Sequence, residues 1–267
     1  MSFRLGAPAL VAPLLCACGP RETGGEIVLF HAYASGLANV ATPLEFETGA
    51  GFSVELTEAR MHIGAVYLRL GQANPGSANA SCVGDTTYGL QVPGPVDVDT
   101  LSPRPQEFSI LGSATTDLDQ SAEIWLVDGD INQVASTTVL VSVAGTATAN
   151  GSAFPFVGRM TIGANHLVPP ANPAAPGANP ICKQRIIAPI PVSVRPSAGG
   201  DLLLSIDPRP WFGDVDFTEL SAGEDGRTLE IPDSSTGSGP DVAAGRAFFT
   251  AVTGTSSEVY RFSWLTP

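Results

Sequence analysis

The sequence predicts an all-β, sandwich-like fold with little helix, and three observations lead to this prediction. Short runs rich in Val, Ile and Thr recur along the chain, turn residues separate them, and stretches of strong helix formers are few. The 29 Gly and 23 Pro interrupt helices and mark turns, whereas β-branched residues suit a pleated, half-buried strand. With 267 residues, the chain can bury a substantial core, as one merged sandwich or as two smaller domains.

Seven segments have the composition of strands, and the last of them lies in a C-terminal segment, 221–267. In chain order these strands are 27–33, 52–56, 122–127, 137–143, 186–194, 202–206 and 259–265. Residues 232–240 are rich in Ser, Gly and Pro and predict a flexible break. Asp241 then caps a predicted short helix that runs to residue 252, because a carboxylate can accept hydrogen bonds from the first turn.

A self-match indicates two β repeats, 26–118 and 119–220. Residues 60–68 read Arg-Met-His-Ile-Gly-Ala-Val-Tyr-Leu and residues 159–167 read Arg-Met-Thr-Ile-Gly-Ala-Asn-His-Leu, so six of nine positions agree. Each copy is followed by a loop that contains Ala-Asn-Pro and then by a cysteine. Chance can produce one short match, but the shared loop and cysteine favour a duplication.

Strand alternation assigns the two faces of each copy. The Met, Ile and first Ala of the motif share one face, which we expect to be core. The opposite face carries Arg60 and His62 in the first copy and Arg159 in the second. The shared glycines, Gly64 and Gly163, predict a bulge or a close backbone contact, where a strand tolerates glycine.

Residues 1–17 resemble the signal peptide of bacterial lipoproteins. Arg4 gives a positive start, the following apolar stretch is too short to span a bilayer, and Leu-Cys-Ala-Cys at 15–18 resembles a lipobox. This resemblance implies cleavage before Cys18, whose sulfur would carry diacylglycerol and whose amine would be acylated; an ordinary secretory leader is the alternative. Residues 18–25 would then form a flexible tether between lipid and body.

The leader and the charge together limit where the protein acts and what it binds. Export and a lipid at Cys18 predict a location in the bacterial cell envelope. Gly19 favours the outer membrane, because an Asp after the anchor tends to retain enteric lipoproteins on the inner one. Thirteen Lys and Arg against 26 Asp and Glu give a net charge of −13, which excludes nucleic-acid binding as a main role. The lipid must therefore supply the membrane contact, and an envelope protein or a glycan is the expected partner.

Cysteine usage agrees with export. Once residues 1–17 are removed and Cys18 is acylated, Cys82 and Cys182 are left as a pair in an oxidising compartment. We expect a structural disulfide between them rather than two reactive thiols. Such a bridge would close a loop of about 100 residues and restrict the unfolded chain.

The sequence carries no signature of catalysis, which predicts a non-enzymatic protein. It has no Gly-x-Ser-x-Gly elbow, no His-Glu-x-x-His, no phosphate-binding loop and no Cys-x-x-Cys. Trp211 lies in an irregular segment, 207–214, and is expected to be exposed as a ligand contact. Trp125 and Trp264 alternate with apolar neighbours and are expected in the core.

Three scarce histidines, His31, His62 and His166, are the candidate metal ligands, with copper as the metal. His31 has apolar neighbours at alternate positions, which also fits a hydrogen-bonded core histidine. Calcium is a weaker prediction, from four pairs of aspartates two residues apart: Asp97 and Asp99, Asp117 and Asp119, Asp128 and Asp130, and Asp214 and Asp216. The simpler interpretation of these pairs is turn chemistry, since Asp accepts hydrogen bonds from the backbone two residues on.

The order of features also resembles the methanobactin-partner family of exported copper-binding β proteins. An early strand at 27–33, a Gly-led strand entering a long apolar one at 51–70, and a late Asp and Trp-Phe segment at 206–217 carry this resemblance. It implies an exported β fold and a copper site of histidines and an oxidised tryptophan. We therefore expect a lipid-anchored binding or interaction module, with a periplasmic copper-binding protein as the alternative.

Overall fold

The protein is described by a computed structural model that covers residues 26–38, 42–70, 88–117, 119–166, 179–233 and 239–266. Within these ranges the chain forms seventeen strands in three sheets, and two α-helices. The fold is all-β and sandwich-like, as the sequence predicts.

The first nine strands are β1 (Ile27–Phe30), β2 (Ala32–Ser35), β3 (Leu44–Glu47), β4 (Ser53–Ile63), β5 (Ala65–Arg69), β6 (Tyr88–Val92), β7 (Val96–Asp99), β8 (Gln106–Glu107) and β9 (Gly112–Thr115). The others are β10 (Asp119–Trp125), β11 (Val141–Ala149), β12 (Ser152–Met160), β13 (Ile186–Val194), β14 (Asp201–Ile206), β15 (Ser221–Ala222), β16 (Leu229–Ile231) and β17 (Tyr260–Leu265). The helices are α1 (Ile181–Gln184) and α2 (Pro240–Val252), and short 3-10 turns form at Ala164–His166, Arg209–Phe212 and Phe217–Glu219.

The strands of both predicted repeats mix in the two larger sheets. One sheet has six strands in the order β1-β9-β6-β5-β10-β13, and the second has seven, in the order β15-β16-β12-β11-β4-β3 with β7 beside β4. The third has the order β17-β14-β2-β8. The pairs β12–β16 and β14–β2 are parallel. Buried residues of all three sheets form one hydrophobic core cluster, so residues 26–118 and 119–220 do not fold around separate cores.

The two copies of the repeated motif begin on either side of β11. Met61 and Met160 both pair with Val141, and the preceding arginines both pair with Ser142. Because β4 and β12 are each antiparallel to β11, they run parallel to each other. The copies are therefore related by a shift of two strands, about 10 Å.

Beyond these first residues the two copies differ. The first continues from β4 through Gly64 into β5, and so passes from the seven-stranded sheet into the six-stranded one. The second leaves β12 at Met160 and ends in the 3-10 turn. The predicted core face is correct for the buried Met61, Ile63, Ala65, Met160 and Ile162 but wrong for Ala164, which is exposed because the chain has already left the strand.

Both repeat glycines lie against the segment 126–140, which connects β10 to β11. A Cβ on Gly64 would lie 2.1 Å from the carbonyl carbon of Val127, and one on Gly163 would lie 2.4 Å from the carbonyl oxygen of Ser136. Any larger residue would therefore force the backbones apart. The predicted close backbone contact is confirmed for both glycines.

A fully buried arginine holds the same segment in place. Arg185 follows α1 and donates from Nη1 to the carbonyl oxygen of Ile131 (3.1 Å), from Nη2 to that of Gln133 (2.7 Å) and from Nε to that of Ile162 (3.0 Å). Burial lowers the pKa of this guanidinium, and Asp130 opposes the change. Arg185 thus ties the second copy of the motif to the segment 126–140.

Two predicted boundaries shift in the structure. The strand predicted at 137–143 begins only at Val141, because the preceding residues belong to the connecting segment. The C-terminal helix begins at Pro240 with Gly239 as its N-cap, so the capping role predicted for Asp241 is wrong. Asp241 instead lies in the first turn, where its Oδ1 accepts from the N–H of Val242 (2.8 Å).

Candidate functional site

A cavity of about 500 Å³ opens on the solvent-facing side of the seven-stranded sheet, where β4 lies between β7 and β11. Its polar lining includes Arg60, His62, Asp97, Asp99 and Ser142. Alternation along β4 places Arg60 and His62 on the face opposite the buried core residues of the same strand. We call this space the first cavity.

Cross-strand register places basic residues of β4 opposite acidic residues of β7 in the first cavity. His62 pairs with Asp97 and Arg60 pairs with Asp99 across β4 and β7. The His62 ring lies between two carboxylates: its Nδ1 is 2.7 Å from Asp97 Oδ1, and its Nε2 is 3.4 Å from Asp128 Oδ1. The His62 side chain is 16% exposed and that of Asp97 is 90% exposed, so water screens the acidic partner more strongly than the imidazole.

A second cavity, of about 470 Å³, adjoins the first on the same sheet face. Its polar lining includes Glu58, Arg159, Glu230 and Asp233, and it shares Ser142 with the first cavity. The Ser142 hydroxyl donates to Glu58 Oε1 (2.8 Å). Ser142 therefore lies on the wall between the two cavities.

The repeat places an arginine on each side of this wall. Arg60 and Arg159 are both exposed and both pair with Ser142 through the backbone register. Within the described residues neither guanidinium forms an ion pair. Two free cations thus stand about 10 Å apart along the sheet, on a surface that also presents several carboxylates. This arrangement can bind a ligand that carries charges of both signs.

A third cavity, of about 680 Å³, lies elsewhere, beside β3 and the 3-10 turn that begins at Arg209. Arg209, which lines this cavity, already has a carboxylate partner. Arg209 donates from Nε to Asp207 Oδ1 (2.9 Å) and from Nη2 to Asp207 Oδ2 (2.6 Å), and these hydrogen bonds raise its pKa. A guanidinium with a bidentate carboxylate partner has less to offer a ligand than a free one.

The three predicted histidine ligands lie in different places and contact different carboxylates. His31 is exposed, and its Nδ1 lies 2.5 Å from Glu107 Oε1. The core position considered for His31 is therefore wrong, because β1 turns its alternate residues, Val28 and Phe30, inward instead. His166 is buried, stacks on Phe249 with ring centroids 4.5 Å apart, and has its Nε2 3.3 Å from Asp233 Oδ1.

These positions do not fit a copper site built from the three histidines. In the part of the chain that the structure describes, no three His, Cys, Asp or Glu side chains form a group that could hold a metal ion. Three of the aspartates in the predicted pairs have turn roles instead. Asp99, Asp130 and Asp216 each accept a hydrogen bond from the N–H two residues on, which confirms the turn interpretation for them.

The exposure predicted for Trp211 is wrong. Its side chain is 0% exposed, because the 3-10 turn directs Trp211 and Phe212 into the core, where both rings pack against Phe248. Trp125 and Trp264 are partly buried and pack against the same core, in agreement with the prediction.

The predicted cysteine roles fall mostly outside the described residues. Cys18, the expected lipid anchor, and Cys82 both lie outside them, whereas Cys182 is buried in α1. The disulfide between Cys82 and Cys182 therefore stays a prediction.

Several important residues were not singled out from the sequence. The repeat motif itself carries the signal for Arg60 and Arg159, since an arginine begins each copy. Ser142, Arg185 and Asp233 offer no comparable local signal, because their partners lie far away in the chain.

One buried acid stands apart from the two adjoining cavities. Asp119, at the start of β10, is 0% exposed, and neither carboxylate oxygen has a hydrogen-bond partner within the described residues. Burial raises its pKa to about 7, and the nearby charge of Asp117 adds to the rise.

Comparison of the chain with protein-family models, with curated proteins and with solved structures finds no match. Among the described residues, the helices are too short or too polar to cross a membrane.

Proposed function

We propose that this protein is a lipid-anchored, non-enzymatic binding module of the bacterial cell envelope. Its binding surface is the pair of adjoining cavities on the seven-stranded sheet. The observation that carries the proposal is the register of the repeat, which sets Arg60 and Arg159 on either side of Ser142 at the two cavity mouths.

The chemistry of this surface selects the class of ligand. The two free guanidinium groups favour carboxylates, because an arginine can donate two parallel hydrogen bonds to such a group. Glu58, Glu230 and Asp97 favour ammonium groups nearby. A peptide-bearing glycan polymer of the envelope, such as peptidoglycan, carries carboxylates and amines together, and its extended chain suits two cavities in a row.

The anchoring part of the proposal rests on the leader. Cys18 ends a lipobox-like sequence, and two or more acyl chains on it would hold the body stably at a membrane. A disulfide between Cys82 and Cys182 belongs to the same proposal, since export supplies the oxidising compartment. Mass spectrometry of the purified protein tests both, through an acylated peptide beginning at Cys18 and through a disulfide-linked pair of peptides.

Co-sedimentation with purified peptidoglycan sacculi tests the binding surface. The double variant Arg60→Gln with Arg159→Gln should lose most of its sedimentation. The control variant, Arg195→Gln with Arg246→Gln, should keep it, because both of those arginines are exposed and neither lines the two cavities. Each pair of substitutions removes the same charge. Equal sedimentation of all three proteins would contradict the proposed surface, and capture of an envelope protein instead would contradict the glycan.

A further inference from the structure

Four exposed aliphatic side chains of the described residues lie close together, on β1 and just before β9. The four most exposed large hydrophobic residues in the described ranges are Ile27 (74%), Leu29 (69%), Ile110 (51%) and Leu111 (47%). The first two lie on β1, and the other two lead directly into β9, which pairs with β1. Single exposed aliphatics are ordinary on a protein surface, whereas a contiguous group marks an interaction site. We call these four residues the β1 patch.

The geometry of β1 places three residues of the patch, Ile27, Leu29 and Leu111, on one side of the sheet, with Ile110 next to them in the chain. Phe30 pairs with Gly112, and Leu29 pairs with Ser113, so Leu111 follows on the side of the sheet to which Ile27 and Leu29 point. β1 is also the outermost strand of the six-stranded sheet. Edge strands in soluble proteins usually carry charged residues that discourage further association. The four residues of β1, Ile-Val-Leu-Phe, carry none.

The position of the patch in the chain points to its occupant. Ile27 lies nine residues after Cys18, and nine residues reach at most about 30 Å even when fully extended. If Cys18 carries lipid, β1 is the strand held closest to the bilayer along the chain. We propose that the β1 patch rests on the lipid surface beside the anchor, and this inference depends on the proposed lipidation of Cys18.

An apolar contact also suits the charge of the protein. The net charge of −13 opposes electrostatic attraction to anionic lipids, so the contact must come from uncharged groups. Aliphatic side chains that enter the boundary between headgroups and acyl chains provide such a contact. Since the acyl chains already hold the protein at the membrane, the patch fixes how the body is oriented on it.

Photo-crosslinking tests the contact directly. The acylated protein is prepared with p-benzoylphenylalanine in place of Leu29, or in place of Val134 as the control, and placed in vesicles of phosphatidylcholine and phosphatidylethanolamine. Val134 is also an exposed aliphatic residue (39%), but it lies in the segment after β10, several strands away from β1. Illumination should give a phospholipid adduct at position 29 and none at position 134. Adding Ile27→Ser and Leu111→Ser should abolish the adduct at position 29.

The outcomes separate this inference from the proposal on which it rests. Mass spectrometry of the Cys18 peptide comes first, and an unmodified Cys18 overturns both. An acylated Cys18 with no lipid adduct at position 29 overturns the patch alone. A crosslink from position 29 to residues 19–25, to a second copy of the chain or to another protein also overturns it, because the patch would then be covered by protein rather than by lipid.

Discussion

The two copies of the repeated motif begin alike on either side of β11, yet they end differently. In the first, Val66 and Tyr67 follow the glycine and alanine, and both suit the strand β5. In the second, Asn165 and His166 take those places. Asn165 accepts from the N–H of Gly163 (3.0 Å) and donates to the Thr161 hydroxyl (3.1 Å). Local side-chain bonds of this kind compete with a strand, which agrees with the turn of the second copy at the point where the first continues into β5.

Both copies have a glycine where the neighbouring backbone leaves no room for a side chain. Both glycines pack against the same connecting segment, 126–140, one near each end of it. The motif thus frames that segment from two sides, while the arginines at its start remain on the solvent face. The duplicated residues thus keep a packing contact and a pair of charges, whereas the residues after them differ between the copies.

The largest loss of stability should follow from replacing Arg185, which ties the second copy of the motif to the segment 126–140. Arg185→Met removes the donor from the carbonyl oxygens of Ile131 and Ile162, which lie in buried hydrogen bonds, and from the partly buried oxygen of Gln133. We expect a loss of unfolding free energy of about 3–5 kcal/mol, because buried acceptors without partners keep their full desolvation cost. Urea denaturation measures it. A loss below about 1 kcal/mol would show that water or a rearranged segment replaces the guanidinium.

The next largest losses of stability should come from substituting the two glycines, one in each copy of the motif. Gly64→Ala should destabilise the protein by roughly 2–3 kcal/mol and Gly163→Ala by roughly 1–2 kcal/mol. The first site is tighter, with three backbone atoms within 2.4 Å of the added Cβ, whereas the second has a single backbone atom at that distance. Gly213→Ala is the control, since its nearest neighbour is 3.5 Å away, and its thermal unfolding should barely change. Equal effects at all three positions would contradict the packing argument.

The carboxylate beside the second copy, Asp233, should contribute more to stability than the carboxylate beside the first, Asp97. Asp233 accepts from the N–H and hydroxyl of Thr161 and lies beside the buried His166, so Asp233→Ala should cost about 1–3 kcal/mol of stability. Asp97→Ala should cost less than about 0.5 kcal/mol, because exposed ion pairs contribute little. Chemical denaturation of both variants at pH 7 gives the comparison. The reverse order would mean that His62, not His166, is the histidine fixed by its acid.

A pH-dependent effect concerns the six-stranded sheet, which only the first copy enters. Asp119 has a pKa of about 7 in the folded protein against an ordinary value of 3.8, so the native state binds more protons than the unfolded one between these values. Its contribution to stability is therefore fully present below pH 3.8 and is lost as pH rises through about 7. Between pH 5 and pH 8 the wild type should lose about 2–3 kcal/mol relative to Asp119→Asn. Parallel denaturation curves of the two proteins at both pH values measure this difference, and a difference that does not change with pH would contradict the shifted pKa.

Local sequence patterns predicted those features of the fold that depend on residues close together in the chain. The strand 186–194 forms with the predicted bounds, since its apolar, β-branched run begins after the polar residues 183–185 and ends before Arg195 and Pro196. The close contacts of Gly64 and Gly163 also followed from glycine in a strand. The outward direction of Ile27 did not, because an uninterrupted apolar run gives alternation no polar residue with which to choose a face.

Features that depend on distant residues could not be predicted from local patterns. The burial of Trp211 depends on where a 3-10 turn meets α2, and Asp233 meets Thr161 only through the folded chain. The place of the two arginines beside Ser142 depends on which strand separates β4 from β12. The motif supplied these arginines, but only the sheet order showed that they share one surface.

The most direct test of this shared surface is calorimetric titration with soluble muropeptides released from peptidoglycan by a muramidase. We expect one muropeptide to bind per chain. We also expect Arg60→Gln and Arg159→Gln each to weaken the affinity about tenfold or more, because each loses a charge-assisted hydrogen bond. Unchanged affinity in both variants would contradict the shared surface. So would two muropeptides per chain with each variant removing one of them, because the copies of the motif would then act as separate sites.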